Sequence, residues 1–256
     1  MSKITINHVD LNNKESRKAL SVKLQAMEQE FSYPLGEQSF FIKHGFGNQN
    51  YDYFSYFEQL GIPYFFAIEK EGKVIGSICF ILREIEQRKV WYICDLKIIK
   101  EDQSKRILFM MYNLLKMQLA SITTSYYFVN MAPVKNNGMF KIASQVLSGF
   151  NMDIQPLYIY EVKSNNPLLS GKTLAHNHGK KDIVINSKST HLYHIVDDTV
   201  ANRTVDILYK DKEDIEEDAT VMFCSYNEIE NLIPSSVGIF AKSNMDIIPD
   251  FSTFEI

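Results

Sequence analysis

The chain has few cysteines, no long apolar run and no surplus of basic residues. Its three cysteines are Cys79, Cys94 and Cys224, and two of them lie in apolar, strand-like segments. Buried thiols are therefore expected rather than a disulfide framework. No apolar segment approaches the roughly 20 residues that a membrane-spanning helix needs. The polar N-terminus MSKITINHVD also differs from a signal peptide, so we expect a cytoplasmic protein with no membrane partner.

The charge balance argues against a nucleic-acid partner. The chain has 31 acidic and 27 basic residues, which gives a formal net charge of −4. Nucleic-acid-binding domains usually show a basic surplus. The hydrophobic content of 45% is ordinary for a protein with a core, and 256 residues suffice for one large domain or one medium domain with an addition.

Strand and helix patterns follow one another over about 160 residues. Alternating apolar residues indicate strands, and apolar residues at helical spacing indicate helices. Lys70-Glu71-Gly72-Lys73 predicts a hairpin turn, and Tyr33-Pro34-Leu35-Gly36 predicts another turn. The predicted strands are Lys3–Val9, Pro63–Ile68, Val74–Leu82, Lys89–Ile99, Ser125–Ala132 and Leu157–Val162. The predicted helices are Ser16–Phe31, a short one at Phe54–Leu60, Ser104–Ala120 and Asn137–Leu147.

The segment from Val90 to Ala120 carries the most information about function. It predicts a strand, a short charged bend and then a helix with one apolar face. A helix N-terminus presents unpaired backbone N–H groups and the positive end of the helix dipole. This junction is therefore a candidate phosphate site.

The same segment resembles the cofactor-binding motif of the GNAT superfamily of CoA-dependent N-acyltransferases. Asp95-Leu96-Lys97-Ile98 resembles the strand end of that motif, Lys100-Glu101-Asp102 its bend, and Gln103 to Leu108 its pyrophosphate loop. Gly149-Phe150 resembles the terminal Gly-Phe signature of the family. The resemblance implies an α/β fold with a GNAT-like mixed sheet flanked by helices.

The chain changes character after residue 164. Residues 165–181 are rich in turn-forming residues and predict a linker or long loop. We therefore expect a GNAT-like domain over residues 1–164 and a smaller β-rich C-terminal domain or extension over residues 165–256. The predicted strands there are Asp182–Asn186, Leu192–Val196, Thr204–Tyr209, Thr220–Ser225, Val237–Ala241 and Phe251–Ile256, with one short helix at Asn227–Leu232. The charge run Asp211–Asp218 predicts a solvated loop.

The resemblance also implies a cofactor, acetyl-CoA or another acyl-CoA. The amides of Lys97, Ile98 and Ile99 would lie beside the pantetheine arm, and those of Lys105 to Leu108 would face the pyrophosphate. The implied binding residues are Lys97, Ile98, Ile99, Gln103, Ser104, Lys105, Arg106, Ile107, Leu108 and Asn137. The family uses small residues where this chain has Ser104, Arg106 and Leu108. Lys105 and Arg106 offer side-chain charge for a phosphate instead.

The sequence does not identify the catalytic residues. A strand amide near Ile98 would hold the oxyanion. Tyr92 stands near the place of a glutamate base, strand alternation puts Asp95 on the opposite face, and Glu69 suits a surface position better. Where the family commonly has a tyrosine acid, this chain has Gln145. The tyrosines that could replace it are Tyr126, Tyr127 and Tyr160.

Two further groups of residues have a structural and a functional interpretation. The aromatic run Tyr51–Phe57 could line a substrate groove or form core. Metal ligation needs three or four converging ligands, and strand alternation would put the last two of the four clustered histidines on opposite faces, so we expect no metal site. These histidines are His176, His178, His191 and His194.

The leading interpretation is an N-acyltransferase that transfers an acyl group from acyl-CoA to a small-molecule or peptide amine. The alternative is a non-catalytic GNAT-fold binding or regulatory protein. A third interpretation keeps the fold with an acyl carrier other than CoA. An exposed strand edge in the C-terminal part could form a homodimer.

Overall fold

The structure, a computed structural model, has an 11-stranded mixed sheet and a separate four-stranded sheet. It describes residues 3–35, 38–45, 51–130, 152–177, 179–186, 188–190, 192–196, 208–210, 215, 218–246, 248–249 and 251–255. The predicted helix 137–147, Gly149-Phe150 and most of the charge run 211–218 lie outside these residues.

The described elements of the first part follow the predicted order, with two strands added after the first helix. Its strands are β1 (Ile4–His8), β2 (Tyr33–Leu35), β3 (Gln38–His44), β4 (Ile62–Lys70), β5 (Lys73–Ile85), β6 (Arg88–Ile98), β7 (Tyr126–Asn130) and β8 (Asp153–Lys163). Its helices are α1 (Lys14–Glu28), α2 (Ser55–Glu58) and α3 (Lys105–Leu114), which continues as a π-helical turn over Leu115–Leu119. Asn13 caps α1 by accepting a hydrogen bond from the Ser16 amide at 3.1 Å.

The predicted hairpin joins β4 and β5. Glu71 and Gly72 both have positive φ, 52° and 82°, which is the backbone of the tight turns that match the twist of paired strands. Open space surrounds Gly72, so its positive φ explains the glycine there.

A β-bulge interrupts β6 near its end. Ser77 of β5 pairs with Lys97, but Cys79 pairs with Cys94, so two residues of β6, Asp95 and Leu96, oppose one residue of β5. Asp95 has a φ of 51°, in the left-handed region. The extra residue reverses the facing of every side chain beyond it.

Helices cover both faces of the sheet around β4, β5 and β6. On one face, Phe54, the residue before α2, packs edge-on against Phe65 of β4, with ring centroids 5.0 Å apart. On the other face, Trp91 of β6 donates from Nε1 to the Leu119 carbonyl at 3.2 Å. We call these the α1 face and the α3 face. In the described part of the chain, no helix is both long and apolar enough to cross a membrane.

Most strands of the rest of the chain extend the same sheet, and two of them join β2 and β3 in the four-stranded sheet. Its strands are β9 (Thr173–His176), β10 (Lys181–Ile185), β11 (Lys188–Thr190), β12 (Leu192–Val196), β13 (Leu208–Lys210), β14 (Thr220–Ser225) and β15 (Ser236–Ser243). The order in the large sheet is β1-β4-β5-β6-β7-β15-β8-β14-β12-β9-β13. β15 therefore fills the place between β7 and β8. The division into domains at residue 164 stays a prediction.

Four expectations for local structure were wrong. The segment 33–44, expected to hold only a turn, forms β2 and β3, because β3 pairs with the distant β10 in the four-stranded sheet. β9 lies in the segment expected to be a loop. Residues 227–232 form turns rather than a helix, and Phe251 leads into a 3₁₀ turn at Thr253–Glu255 rather than a strand.

Candidate functional site

The two central strands β6 and β7 separate before the C-terminal end of β6. They pair in parallel only where Trp91–Ile93 meets Tyr126–Phe128, although β6 continues to Ile98. The Ile99 amide donates to the Ile75 carbonyl on the β5 side at 2.9 Å. By strand alternation, the Ile98 amide points to the opposite edge, where the described residues provide no pairing strand. The Ile98 carbonyl on that edge accepts from Gln103 Nε2 at 3.1 Å.

The bend between β6 and α3 is fixed at its acidic residue. Asp102 pairs with Lys70 Nζ of β4 at 2.5 Å, and its amide donates to the Ile99 carbonyl at 3.0 Å. α3 then begins at Lys105, and fully buried Ile107 anchors its first turn. Arg106, Gln103 and Ser104 are exposed. The Ile107 amide donates to the Ser104 carbonyl at 3.2 Å, so the start of α3 presents the N–H groups of Lys105 and Arg106 beside an exposed guanidinium.

The structure brings most of the implied cofactor-binding residues together. Residues 97–99 and 103–108 form one continuous path from the free edge of β6 to the first turn of α3. The Ile99 amide already donates to the Ile75 carbonyl within the sheet, so it cannot also bind the pantetheine arm. Of the expected backbone contacts with pantetheine, the Ile98 amide is the one that remains. Asn137 lies outside the described residues.

A buried ionic cluster lies on the α1 face at the bulge. Lys97 Nζ lies 2.6 Å from Asp95 Oδ1 and also contacts Glu28 of α1. The Tyr53 hydroxyl lies 3.1 Å from both Asp95 oxygens, and Ser77 Oγ donates to Asp95 at 2.8 Å. We call this the Lys97 cluster, and it comprises Glu28, Tyr33, Tyr53, Ser77, Asp95 and Lys97.

The expectation that Asp95 lies on the face opposite Tyr92 was wrong. The bulge and the left-handed φ turn its carboxylate to the α1 face, where it meets Ser77 and Lys97. Strand alternation fails here because a bulge shifts the register by one residue.

Burial and neighbouring charge set the ionisation of the cluster. Burial opposes the charge of Lys97, but Asp95, Tyr53 and Glu28 outweigh it and hold the pKa of Lys97 well above its usual range. Burial and the adjacent Asp95 raise the pKa of Tyr53. Lys97 is therefore a permanent ammonium that stabilises two carboxylates, and Tyr53 remains a neutral phenol.

Two basic side chains from another sheet face this cluster. His44 of β3 and Lys181 of β10 are directly paired across their strands and so share a face. The His44 ring lies 4.3 Å from the Tyr53 ring, is 4% exposed, and has no hydrogen-bond partner at either nitrogen among the described residues. Lys181 Nζ lies 4.4 Å from the Tyr56 ring centroid. Burial, assisted by the charge of Lys97, lowers the pKa of Lys181 to about 8.

A second buried ionic group lies farther along the α1 face. Arg83 Nη1 contacts Glu255 Oε2 at 3.0 Å and the Tyr127 hydroxyl at 2.6 Å. The Tyr92 hydroxyl donates to the Glu255 carbonyl at 2.7 Å, and its ring stacks on Tyr127. We call Arg83, Tyr92, Tyr127 and Glu255 the Arg83 cluster. It anchors residues 251–255 in the protein interior.

The residues considered for proton transfer fall into different environments. Tyr92 and Tyr127 belong to the Arg83 cluster, and burial raises the pKa of Tyr92. Tyr160 is a core residue stacked on Phe223, and Glu69 accepts from Asn7 at the outer part of β4. Gln145 lies outside the described residues.

The aromatic run is core, and the described histidines do not converge. The side chains of Tyr53 to Phe57 pack on β4, and four of them are almost fully buried. His194 Nδ1 lies 3.0 Å from Thr253 Oγ1, while His176 packs edge-on against Tyr193. His178 and His191 lie outside the described residues, within which no group of three or more His, Cys, Asp or Glu side chains could hold a metal.

Sequence reasoning missed the residues that complete both clusters. Glu28 had a usable signal, because it follows buried Leu24 by four residues and so lies on the inward face of α1. Arg83, Lys181 and Glu255 had none that we can identify, since each meets its neighbours only through pairing between distant segments.

Comparison with solved structures gives matches in fold. A tandem GNAT protein from the clavulanic acid biosynthesis pathway is 8% identical, with 94% of this chain and 98% of that chain covered and a TM-score of 0.51. A GCN5-related N-acetyltransferase from Anabaena variabilis is 11% identical, with 94% and 72% covered and a TM-score of 0.38. A glucosamine N-acetyltransferase region of a fungal multi-domain β-N-acetylglucosaminidase is 8% identical, with 69% and 21% covered and a TM-score of 0.42.

No protein-family model matches the chain, and no curated protein does. The likeness is therefore one of structure, over nearly the full length of both chains for the tandem protein. The mixed sheet, the strand–bend–helix segment and this match agree. The protein has the fold of the GNAT superfamily.

Proposed function

We propose that this protein transfers an acyl group from acyl-CoA to the amine of a small molecule or peptide. The observation that carries the proposal is the separation of β6 from β7 at the bulge. It leaves the Ile98 amide at a strand edge that leads directly into the first turn of α3. Cytoplasmic location and a homodimer belong to the same proposal.

The backbone and side chains of this path can bind the pantetheine arm and the phosphates of acyl-CoA. An extended pantetheine arm can pair with the free edge of β6 through the Ile98 amide, as an added strand would. Its phosphates would lie at the start of α3, where backbone N–H groups and the Arg106 side chain supply positive charge. When bound, acyl-CoA supplies an activated thioester. The proposed binding residues are Ile98, Gln103, Ser104, Lys105, Arg106, Ile107 and Leu108.

The Lys97 cluster would organise the acceptor side. It lies at the bulge, next to the edge that would hold the acyl group, and its charged atoms are mutually satisfied by short contacts. Side chains held in this way lose little entropy when a substrate binds beside them. The cluster would therefore position an acceptor amine.

Calorimetric titration of the purified protein with acetyl-CoA tests the proposal. We expect binding, and we expect Arg106→Glu to weaken it about tenfold or more, since one charge reversal beside a phosphate is worth a few kcal/mol. Arg88→Glu is the matched control. It makes the same charge change at the opposite end of β6, where the Arg88 side chain is 63% exposed.

The proposal fails if acetyl-CoA does not bind at millimolar concentration. It also fails if Arg88→Glu weakens binding as much as Arg106→Glu does, because binding would then reflect overall charge. Turnover is measured with a panel of amines by detecting the released thiol.

The second candidate is a non-catalytic binding or regulatory protein. Two observations favour it: Ser104 and Arg106 occupy positions where the family has small residues, and residue Glu255 covers the Tyr92 hydroxyl. Thiol release that depends on an added amine, and that Arg106→Glu abolishes, would exclude this candidate.

A further inference from the structure

Lys181 lies on the α1 face, and the described residues supply no counter-ion for it. Within the described residues, Nζ of Lys181 makes neither an ion pair nor a hydrogen bond, and its contact is the face of the Tyr56 ring at 4.4 Å. Lys97, in contrast, contacts two carboxylates. The two buried amines therefore differ in their availability for reaction.

Lys181 lies opposite the part of β6 at which this strand separates from β7. β10 pairs with β3, and this places Lys181 beside His44 and over α2, across from the bulge. Asp95, whose charge acts on Lys181, is the second residue after Ile93, the last residue of β6 that pairs with β7. The titratable groups that face Lys181 are Glu28 of α1, His44 of β3, Tyr56 of α2, Cys94, Asp95 and Lys97 of β6, and His194 of β12.

His44 is an independent sign that this space is shaped for an additional group. Its ring is 4% exposed and both nitrogens lack partners among the described residues. Burial, with Lys97 and Lys181 nearby, holds the pKa of His44 well below its usual range, so the ring is neutral. A buried polar side chain normally has a partner, and a neutral imidazole can accept from or donate to one.

We propose that Lys181 is itself an acyl acceptor, and that the protein transfers an acyl group from acyl-CoA to the Lys181 side-chain nitrogen. This inference rests on the proposed function, because acyl-CoA must bind first. In the reaction, the neutral amine attacks the thioester carbonyl, a C–N bond forms and the C–S bond breaks. The nitrogen loses one proton and the leaving thiolate gains one, so that the products are N-acyl-lysine and free thiol.

The chemistry favours Lys181 over other lysines of the chain. With a pKa of about 8, half of the Lys181 side chains are neutral at pH 8. An ordinary lysine of pKa about 10.4 is neutral in only roughly 0.4% of molecules at that pH. Attack within one protein–donor complex also gains from high effective concentration.

Acylation would change the electrostatics of the site. It removes a cation and leaves the Glu28 and Asp95 carboxylates with Lys97 alone. The larger N-acyl group would also occupy space beside Tyr56 and His44. Self-acylation would therefore regulate access of other amines to the same position.

The test follows acetylation of the full-length protein by mass spectrometry after incubation with acetyl-CoA. Exposed Lys23 of α1 provides the baseline for uncatalysed reaction. We expect acetylation at Lys181 to be faster than at Lys23 by about tenfold or more at pH 8. Its rate should rise with pH and level off above about 8, while the rate at Lys23 continues to rise.

Two controls distinguish transfer from acetyl-CoA bound to the protein from a high intrinsic reactivity of the Lys181 amine. A small acetylating reagent without CoA, an N-hydroxysuccinimide ester, should label the lysines in order of exposure, with Lys23 ahead of Lys181. Arg106→Glu should lower labelling of Lys181 by acetyl-CoA but not by the ester. Lys181→Arg should remove the modified peptide, and Lys23→Arg should leave it unchanged.

The inference is overturned if acetyl-CoA binds by calorimetry yet Lys181 is labelled no faster than Lys23. It is also overturned if the ester and acetyl-CoA give the same order of labelling. Failure of acetyl-CoA to bind at all overturns the proposed function, and the calorimetric titration of the same sample distinguishes the two results.

Discussion

The two buried ionic groups on the α1 face differ in how their charges are satisfied. The Lys97 cluster has two carboxylates, one ammonium and two tyrosine hydroxyls in mutual contact, next to the open edge of β6. The Arg83 cluster has one guanidinium and one carboxylate, enclosed by residues 251–255. Arg83 Nη2 has no partner there among the described residues.

The comparison separates a structural role from a functional one. The Arg83 cluster joins two distant parts of the sequence, since 172 residues separate Arg83 from Glu255. The Lys97 cluster joins elements of the first part, α1 and β6, at the position where the sheet opens. The first cluster is therefore suited to holding the chain together, and the second to presenting charge to a ligand.

The largest expected effect comes from removing the ammonium of the Lys97 cluster. Lys97→Met leaves Glu28 and Asp95 buried without their cation, and breaking a buried ion pair costs about 3–5 kcal/mol. We expect a loss near the upper end of this range in urea unfolding. Lys100→Met, at an exposed lysine nearby, should change stability by less than about 0.5 kcal/mol. A loss equal to that of the control would show that the cluster is not buried in solution.

Removing a charge from the Arg83 cluster should lower the free energy of unfolding somewhat less. Glu255→Gln removes the charge that faces Arg83, but the guanidinium keeps the Leu60 carbonyl and the Tyr127 hydroxyl as acceptors. We expect a loss near the lower end of about 3–5 kcal/mol in urea unfolding. Acetyl-CoA binding, measured by calorimetry, should be preserved. Glu84→Gln at an exposed position of β5 is the control, and equal losses in the two variants would contradict a structural role for Glu255.

Lys181 provides a prediction of opposite sign. Its pKa is lowered in the folded state, so below pH 8 the folded protein carries the full cost of burying the ammonium. Between pH 8 and about 10.4 the unfolded state binds more protons, and stability therefore rises with pH. Lys181→Met should raise the free energy of unfolding at pH 7 by about 1–3 kcal/mol and remove this rise.

Urea unfolding at several pH values measures both effects of Lys181→Met. Lys23→Met should show neither a gain in stability nor a change in pH dependence, because Lys23 is exposed. A loss of stability in Lys181→Met would mean that Lys181 is ion-paired in the folded protein. It would then not differ from Lys97 in this respect, which would contradict the comparison.

The smallest expected effect concerns the free edge of β6. Gln103→Ala removes one partly buried hydrogen bond to the Ile98 carbonyl, which should cost about 1 kcal/mol of stability. The free energy of acetyl-CoA binding should be weakened by more than the free energy of unfolding, because the edge of β6 is less ordered without this hydrogen bond. Gln118→Ala, in the π-helical turn after α3, is the control, and equal affinity in both variants would argue against the edge as the binding path.

The order of elements was predictable because local patterns determine it. The predicted hairpin and the β6–α3 junction match the structure, since alternating apolar residues and turn residues act over short distances. β2 and β3 were missed because β3 is completed by β10, about 140 residues away. Such pairing leaves no mark on the local sequence.

The candidate site was predictable only as a path of backbone. Residues 97–108 were identified from the resemblance, whereas the side chains around them were not. The bulge at Asp95 defeated strand alternation, although an aspartate tolerates positive φ better than most residues and could have suggested it. Lys181 and His44 lie on strands of a different sheet and contact Tyr56 and Tyr53, so no sequence spacing could link them to Lys97.

The position of β15 has a consequence for how the protein is made. β7 and β8 each pair with β15 on their inner edges, so the gap between them closes only after residues 236–243 have been synthesised. A chain released at residue 164 would have one edge of β7 unpaired and β8 without its partners β15 and β14, and unpaired strand edges are templates for aggregation. Productive folding therefore waits for the last strand, with the high contact order and slow rate that such late closure brings.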